Sequence, residues 1–224
     1  MSNTGAHNPK IWRKQPKQGR SANTVQSILQ AAERLFVTQG YDATTAEDIV
    51  SRAGVAVGSL YDYFPNKKAV ALALLESISS GIAEDSRRMF AEHGQEPIEV
   101  SLPKVVRKIY LNYKRHKNVL INLVNDVPAL RSLAEIYAID KLIHRTSLMF
   151  LQIYQDQYHG SNLEANHQFL NLVFTASLKQ YLSESVHMMG EDEFLDRLSS
   201  LILLYLTQQL PATAGTVIPL RPSA

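Results

Sequence analysis

From residue 22 onward one spacing dominates the chain: apolar side chains recur every three or four positions. Val25, Ile28, Leu29, Ala32, Leu35 and Phe36 fall on one face of a helix, and Gly40 follows as its stop. No stretch shows the two-residue alternation of a half-buried strand, so the pattern predicts an all-α fold whose elements end where Gly and Pro interrupt it. Thr44 opens T-T-A-E, with Glu47 three residues on, a capping-box signature for a second helix that Gly54 closes. A third short segment runs from Ala56 to Tyr63 before Phe64-Pro65-Asn66 stops it. Two short helices joined by a tight glycine-containing turn make a helix-turn-helix candidate.

Asn66 can cap a further helix over about 67–92, ending near Gly94. The next is expected over about 102–124, with Pro103 in its first turn. Segments at about 129–158, 163–188 and 191–210 follow, separated by Val127-Pro128, His159-Gly160 and Met189-Gly190. Residues 1–21 hold five basic groups, two prolines and no acid, and read as a loose arm. The three prolines of 211–224 mark a flexible tail.

Composition removes several classes of function. There is no cysteine among the 224 residues, which excludes disulfides, thiol redox chemistry and thiolate zinc sites. No apolar run approaches the ~20 residues needed to cross a bilayer, and the first twenty residues lack the apolar centre of a secretory signal; a cytoplasmic protein is expected. His144, His167 and His187 lie far apart, without a partner at H-x-x-x-H spacing. No phosphate-cradling glycine loop and no G-x-S-x-G occurs. The expectation is a non-enzyme without metal or cofactor. The formal charge of +2 is unevenly spread: residues 1–68 hold nine Lys/Arg against five Asp/Glu, and the remainder is net acidic. Clustered positive charge at one end points that end toward a polyanion.

Three segments, V-x-x-I-L-x-A-A-x-x-L-F at 25–36, G-Y-D-A-T-T-A-E-D-I-V at 40–50 and A-G-V-A-V-G-S-L-Y-D-Y-F-P-N-K at 53–67, closely resemble the N-terminal domain of TetR-family transcriptional regulators in order, spacing and residue type. The resemblance implies a DNA-binding domain over 22–82 with its helix-turn-helix at 45–64, and a helical ligand-binding and dimerisation domain over 83–210. It places phosphate contacts at Thr45, Tyr61, Tyr63 and Lys67, with Thr44 beside them, and base-edge contacts at Val57, Gly58 and Ser59. The chemistry agrees. Gly58 lets a helix approach the duplex, Val57 suits a thymine methyl, Ser59 can donate or accept, and tyrosine hydroxyls can donate to phosphate. Leu60 and Phe64, four apart, should face inward with Ile49 and Val55. Two departures from the family pattern stand out. Ala56 occupies a position that is often serine, which removes a helix cap worth ~1 kcal/mol. Asp62 and Glu47 place carboxylates where neutral or basic groups are common, which leaves the base preference open. The basic arm serves either as a solubilising tail or as a minor-groove contact.

The segments FLNLVFTASLKQYL (169–182) and FLDRLSSLILLYLT (194–207) are apolar on more than one face, which predicts a homodimer paired through the helices at 163–188 and 191–210. A ligand pocket of mixed aromatic and polar character is expected from Tyr110, Asn112, Tyr113 and His116, with Tyr137, His144, Phe150 and Phe174 on neighbouring helices. The reading is therefore a DNA-binding transcriptional regulator, a repressor released from a palindromic operator by a small molecule. Two alternatives remain at this level: an architectural or replication-linked DNA-binding protein, and a helical carrier or enzyme whose DNA-binding domain is vestigial.

Overall fold

The structure, a computed structural model, describes residues 11–16, 19–128, 130, 139–157 and 163–207. Among the described residues every regular element is helical: α1 (Arg20–Thr38), α2 (Ala46–Ala53), α3 (Val57–Tyr63), α4 (Lys67–His93), α5 (Ile98–Arg115), α6 (Ile139–Ile153), α7 (Leu163–Ser183) and α8 (Glu191–Thr207). A π-helical turn, Asn118–Leu123, follows α5 and runs on into Val124–Asp126. A single 3₁₀ turn, Gln155–Gln157, follows α6.

The first three helices form a compact unit around α1. All six residues of the expected apolar stripe, Val25 through Phe36, are buried. Ile49 of α2, Leu60 of α3 and Phe64 just beyond it are fully buried against them. Gly54 turns the chain between α2 and α3 with a φ of 66°, a left-handed conformation that costs glycine little and other residues more. Asn66 caps α4 as its sequence position predicts, its Oδ1 accepting from the Ala69 amide at 2.9 Å.

Helix α4 is the spine. Its 27 residues reach about 40 Å at 1.5 Å per residue. The run Ala69–Leu75 is buried on every side, and α4 as a whole packs against α1, α5 and α6. Helix α1 also packs against the π-helical turn, whose Val119, Leu120, Ile121 and Leu123 are buried. The N-terminal unit thus meets the C-terminal helices by two routes, one through α4 and one across α1.

Four differences from the sequence reading bear on the site. Helix α5 starts at Ile98, four residues early, with Pro97 as its extended cap residue. Pro103 therefore sits within the helix, and the hydrogen bond it cannot make to Glu99 falls at an exposed position where water can serve the carbonyl. The same helix ends at Arg115 rather than near residue 124; no glycine or proline marks that break, so the sequence carries no signal for it. Helix α7 ends at Ser183, five residues early, and the chain then turns so that His187 stacks on Tyr181, which stacks in turn on Phe194 of α8.

The fourth difference concerns the arm. Ile11 and Trp12 are only 1% and 9% exposed and belong to the core of the N-terminal unit. Trp12 packs on Phe64 with ring centroids 4.9 Å apart, and its indole N–H donates to Glu76 of α4 at 2.9 Å. An apolar pair in a polar arm is a packing signal, and here it overrides the basic, proline-containing composition around it.

Candidate nucleic-acid interface

Helix α2 begins at a reciprocal cap. Thr45, extended at φ −103° and ψ 166°, accepts from the Asp48 amide at 3.1 Å, while Asp48 accepts from the Thr45 amide at 2.9 Å and from its hydroxyl at 2.7 Å. The capping box is therefore Thr45/Asp48, one residue beyond the Thr44/Glu47 expected. Thr44 cannot fill the role: it is 1% exposed and its hydroxyl donates to the Gly40 carbonyl at 2.7 Å. These hydrogen bonds, from the Thr45 backbone first and its hydroxyl second, hold the Asp48 carboxyl below its ordinary range.

Helix α3 presents its first turn outward. Val57 is 43% exposed, and Gly58 is exposed with nothing within 4 Å of where a Cβ would stand. Ser59 is half-buried, Tyr61 exposed, and Tyr63 half-buried with its ring 6.5 Å from that of Phe64. Asp62 projects between the two tyrosines and is exposed. Ala56 is the N-cap and offers no side-chain hydrogen bond, as its identity requires. Thr45, Val57, Gly58, Ser59, Tyr61 and Tyr63 therefore lie on the α2–turn–α3 unit and are at least partly accessible, whereas Thr44 is structural.

Lys67 is placed otherwise than the sequence suggests. Its ammonium donates to the carbonyls of Tyr41 at 2.7 Å, Thr44 at 2.7 Å and Asp42 at 3.3 Å, and lies 4.3 Å from the Tyr41 ring centroid. An ammonium has three donors, and all three close the α1–α2 loop over the start of α4. Tyr41 itself leans on Phe36 at 5.3 Å, and burial, then the Asp42 charge, push its phenol upward.

The residues expected to line a ligand pocket separate onto different sides of α5. Tyr110 and Tyr113 are fully buried, Tyr110 near Tyr181 and Phe194 at 6.2 and 6.5 Å. Burial, then hydrogen bonding to Glu191, raises the Tyr110 phenol far above its ordinary range. Asn112 and His116, one helical turn apart, point elsewhere. They line a cleft of about 340 Å³ between α1, α4 and the end of α5, where Asn112 lies beside Asp85 and His116 Nδ1 lies 3.7 Å from Glu33. A helix turns 100° per residue, so positions 110 and 112 cannot share a face. Phe150 packs on Phe90 and Tyr154 at 4.8 and 5.1 Å, and Phe174 is buried within α7. Tyr137 and the side chain of His144 lie outside the described residues. A polar pair that spacing did not single out joins α6 to α7: His167, 2% exposed, meets the Ser147 hydroxyl at 2.8 Å. Among the described residues no group of three or more His, Asp and Glu is placed to hold a metal, and no helix is long and apolar enough to cross a membrane.

A short capped helix, a glycine turn and a second short helix whose first turn stands clear of the three-helix core define a helix-turn-helix domain of the DNA-binding class. The sequence model described as "Bacterial regulatory proteins, tetR family" matches residues 28–74. That stretch, the helix-turn-helix and its flanking helices, is similar to the N-terminal domain of the TetR family. The chain is 30% identical over 106 residues to an uncharacterized helix-turn-helix transcriptional regulator, YvdT, of Bacillus subtilis, a match covering 47% of this chain and 53% of that protein. It is 37% identical over 71 residues to the transcriptional regulator TtgR of Pseudomonas putida, covering 32% and 34% respectively. The chain thus spans about half the length of YvdT and about a third of TtgR. Among solved structures, Thermus thermophilus FadR, a TetR-family transcriptional repressor in complex with lauroyl-CoA, superposes with a TM-score of 0.56 at 27% identity, over 85% of this chain and all of that one. A TetR-family regulator from Mesorhizobium loti shares the fold at a TM-score of 0.67 and 15% identity, over 84% of this chain and 97% of that one.

Proposed function

We propose that this protein is a homodimeric, cytoplasmic transcriptional repressor that binds a palindromic operator through α3 and leaves it when a small molecule occupies the C-terminal helices. The observation that carries the DNA-binding part is the first turn of α3, where Val57 is 43% exposed and Gly58 has nothing within 4 Å of where a Cβ would stand. A glycine inside a helix costs roughly 0.5–1 kcal/mol relative to alanine. A fold that derives nothing from that cost points to a partner that comes close, and the floor of a major groove is such a partner. Val57, Gly58 and Ser59 then face base edges, and Thr45, Tyr61 and Tyr63 face phosphates. Lys67 acts from behind, by fixing the loop that leads into α2.

The dimer follows from exposed apolar surface. Phe169 and Leu172 of α7 and Leu201 and Leu204 of α8 are 50–65% exposed. Phe169 packs on Tyr205 at 5.4 Å, and Tyr205 donates to Asn166 at 2.9 Å, so the two helices offer one continuous face. Two copies paired through it form a four-helix interface and set two α3 helices for successive major grooves about 34 Å apart. Thermus FadR, a repressor solved in complex with lauroyl-CoA, supports a ligand-responsive role. A ligand that prefers the dimer arrangement with mis-spaced α3 helices lowers operator affinity by the ratio of its affinities for the two states.

Selection of bound duplexes from a random pool, repeated with a small-molecule library, tests this reading. Recovery of one palindrome, released by a subset of the library, is the expected result. Retained ligand binding with no enriched duplex would point instead to a carrier with an idle DNA-binding domain, and enrichment of many unrelated sites to an architectural protein.

A further inference from the structure

Helix α3 is poor in positive charge for a groove-entering element. Its seven residues, VGSLYDY, hold no Lys or Arg and one exposed Asp62, and the nearest following lysine, Lys67, is engaged by three carbonyls. Sequence-independent affinity for a duplex comes from cations that displace condensed counterions. They must therefore come largely from elsewhere in the domain.

The buried pair Ile11–Trp12 brings Arg13 to the end of α3, with Lys14 the next residue. Beyond Trp12, the Arg13 amide donates to the Tyr63 carbonyl at 2.8 Å, satisfying one of the last carbonyls of α3, which have no partner within the helix. The Arg13 guanidinium reaches to 3.5 Å from the Tyr61 carbonyl oxygen. Arg13 and Lys14 are exposed, and neither forms an ion pair with a described residue. The chain thus lays the Arg13 guanidinium along the end of α3 that carries both tyrosines and the Asp62 carboxylate, with the exposed Lys14 as the next residue.

We propose that Arg13 and Lys14 form a second phosphate-binding element of the DNA interface, positioned by the Ile11–Trp12 anchor on Phe64 and Glu76. The proposal rests on the reading of α3 as the groove-entering helix. It commits to backbone phosphates as the contact, not to base edges, because the Arg13 guanidinium sits at the C-terminal end of α3, away from the exposed Val57–Gly58 turn, and Lys14 follows it in the chain.

The test is the salt dependence of binding by the full chain, measured by fluorescence anisotropy on the duplex recovered from the random pool and on a mixed-sequence duplex. The double variant Arg13→Ala/Lys14→Ala replaces two exposed side chains, so the fold, followed by circular dichroism, is expected to remain intact. Affinity should fall about tenfold on both duplexes, and the slope of log K against log salt should drop by about 0.9 per contact, or about 1.8 per protomer. Arg87→Ala, which removes a charge paired with Glu84 on α4, should leave the slope unchanged. Trp12→Ala should reproduce the slope loss of the double variant while both cations are still present. A double variant with wild-type affinity and slope overturns the proposal, as does a loss of affinity with no change of slope. If the wild-type protein binds no duplex at all, the reading of α3 fails and takes this proposal with it, a result distinguishable from failure of the arm alone.

Discussion

Lys67 Nζ donates to the Thr44 carbonyl oxygen at 2.7 Å, tying the first turn of α4 to the residue just before the α2 cap. Twenty-three residues separate the two in sequence, and the bond carries the loop from Tyr41 to Thr45 as one piece. Replacement by methionine keeps the stem and removes the charge. Lys67→Met should destabilise the domain by about 1–3 kcal/mol in urea unfolding, because partly buried carbonyls lose a charged donor. Its DNA affinity should fall with the slope against log salt changing by much less than the ~0.9 of a lost phosphate contact. A full unit of slope would show instead that the ammonium leaves its carbonyls to meet the duplex.

Gly58 should separate stability from function. A Cβ at this position meets nothing within 4 Å, and the residue sits in a helix with φ on the ordinary side. Gly58→Ala should therefore raise folding stability by about 0.5–1 kcal/mol while lowering operator affinity, since the methyl group occupies space that the duplex is expected to use. Thermal unfolding and anisotropy on the same preparation read both effects. An alanine variant with unimpaired DNA binding would remove Gly58 from the interface.

The apolar face on α7 and α8 makes a quantitative demand on oligomeric state. Leu172 is 65% and Leu204 51% exposed in a single chain. Leu172→Glu/Leu204→Glu places four carboxylates in a paired interface and should convert the dimer to monomer in sedimentation velocity, with circular dichroism unchanged. Operator binding should weaken by orders of magnitude, because the two half-sites are then no longer bound as a unit. A dimer that survives both charges would place the contact elsewhere.

The junction of α5 and α8 should show in the acid limb of stability. Glu191 is held below its ordinary range first by the hydrogen bond from Lys114, with burial opposing it and the bond from Tyr110 adding to it. A depressed folded pKa stabilises the native state above the unfolded pKa, about 4.3, and that stabilisation is lost as pH falls through the folded value. Both partners of the ion pair are partly exposed, so the effect is roughly a few tenths of a kcal/mol. Glu191→Gln should be less stable than wild type at pH 7 by about that amount, and the gap should close below about pH 4 in urea titrations. A gap independent of pH would assign the loss to packing instead.

Several features were legible because their physics is local. The stripe of α1, the left-handed Gly54, the Asn66 cap and the uncapped Ala56 each depend on residues within one or two turns, and each stands where the spacing puts it. The capping box was misplaced by one residue because Thr44 and Thr45 are chemically alike; only the burial of Thr44 distinguishes them. The stripe assigned to a ligand pocket divided because positions 110 and 112 stand about 200° apart around α5, so that Tyr110 turns toward α8 and Asn112 with His116 toward α1 and α4.

The sequence by itself determined an all-helical chain, the three-helix unit with its helix-turn-helix, and the likeness of residues 28–74 to the TetR family, since periodicity and turn chemistry are written in neighbouring residues. The tertiary structure alone decided that Trp12 is an anchor for the arm and Lys67 a clasp for the α1–α2 loop. Their partners lie 64 and 23 residues away, and the worth of an indole or an ammonium is settled by what burial and distance place beside it.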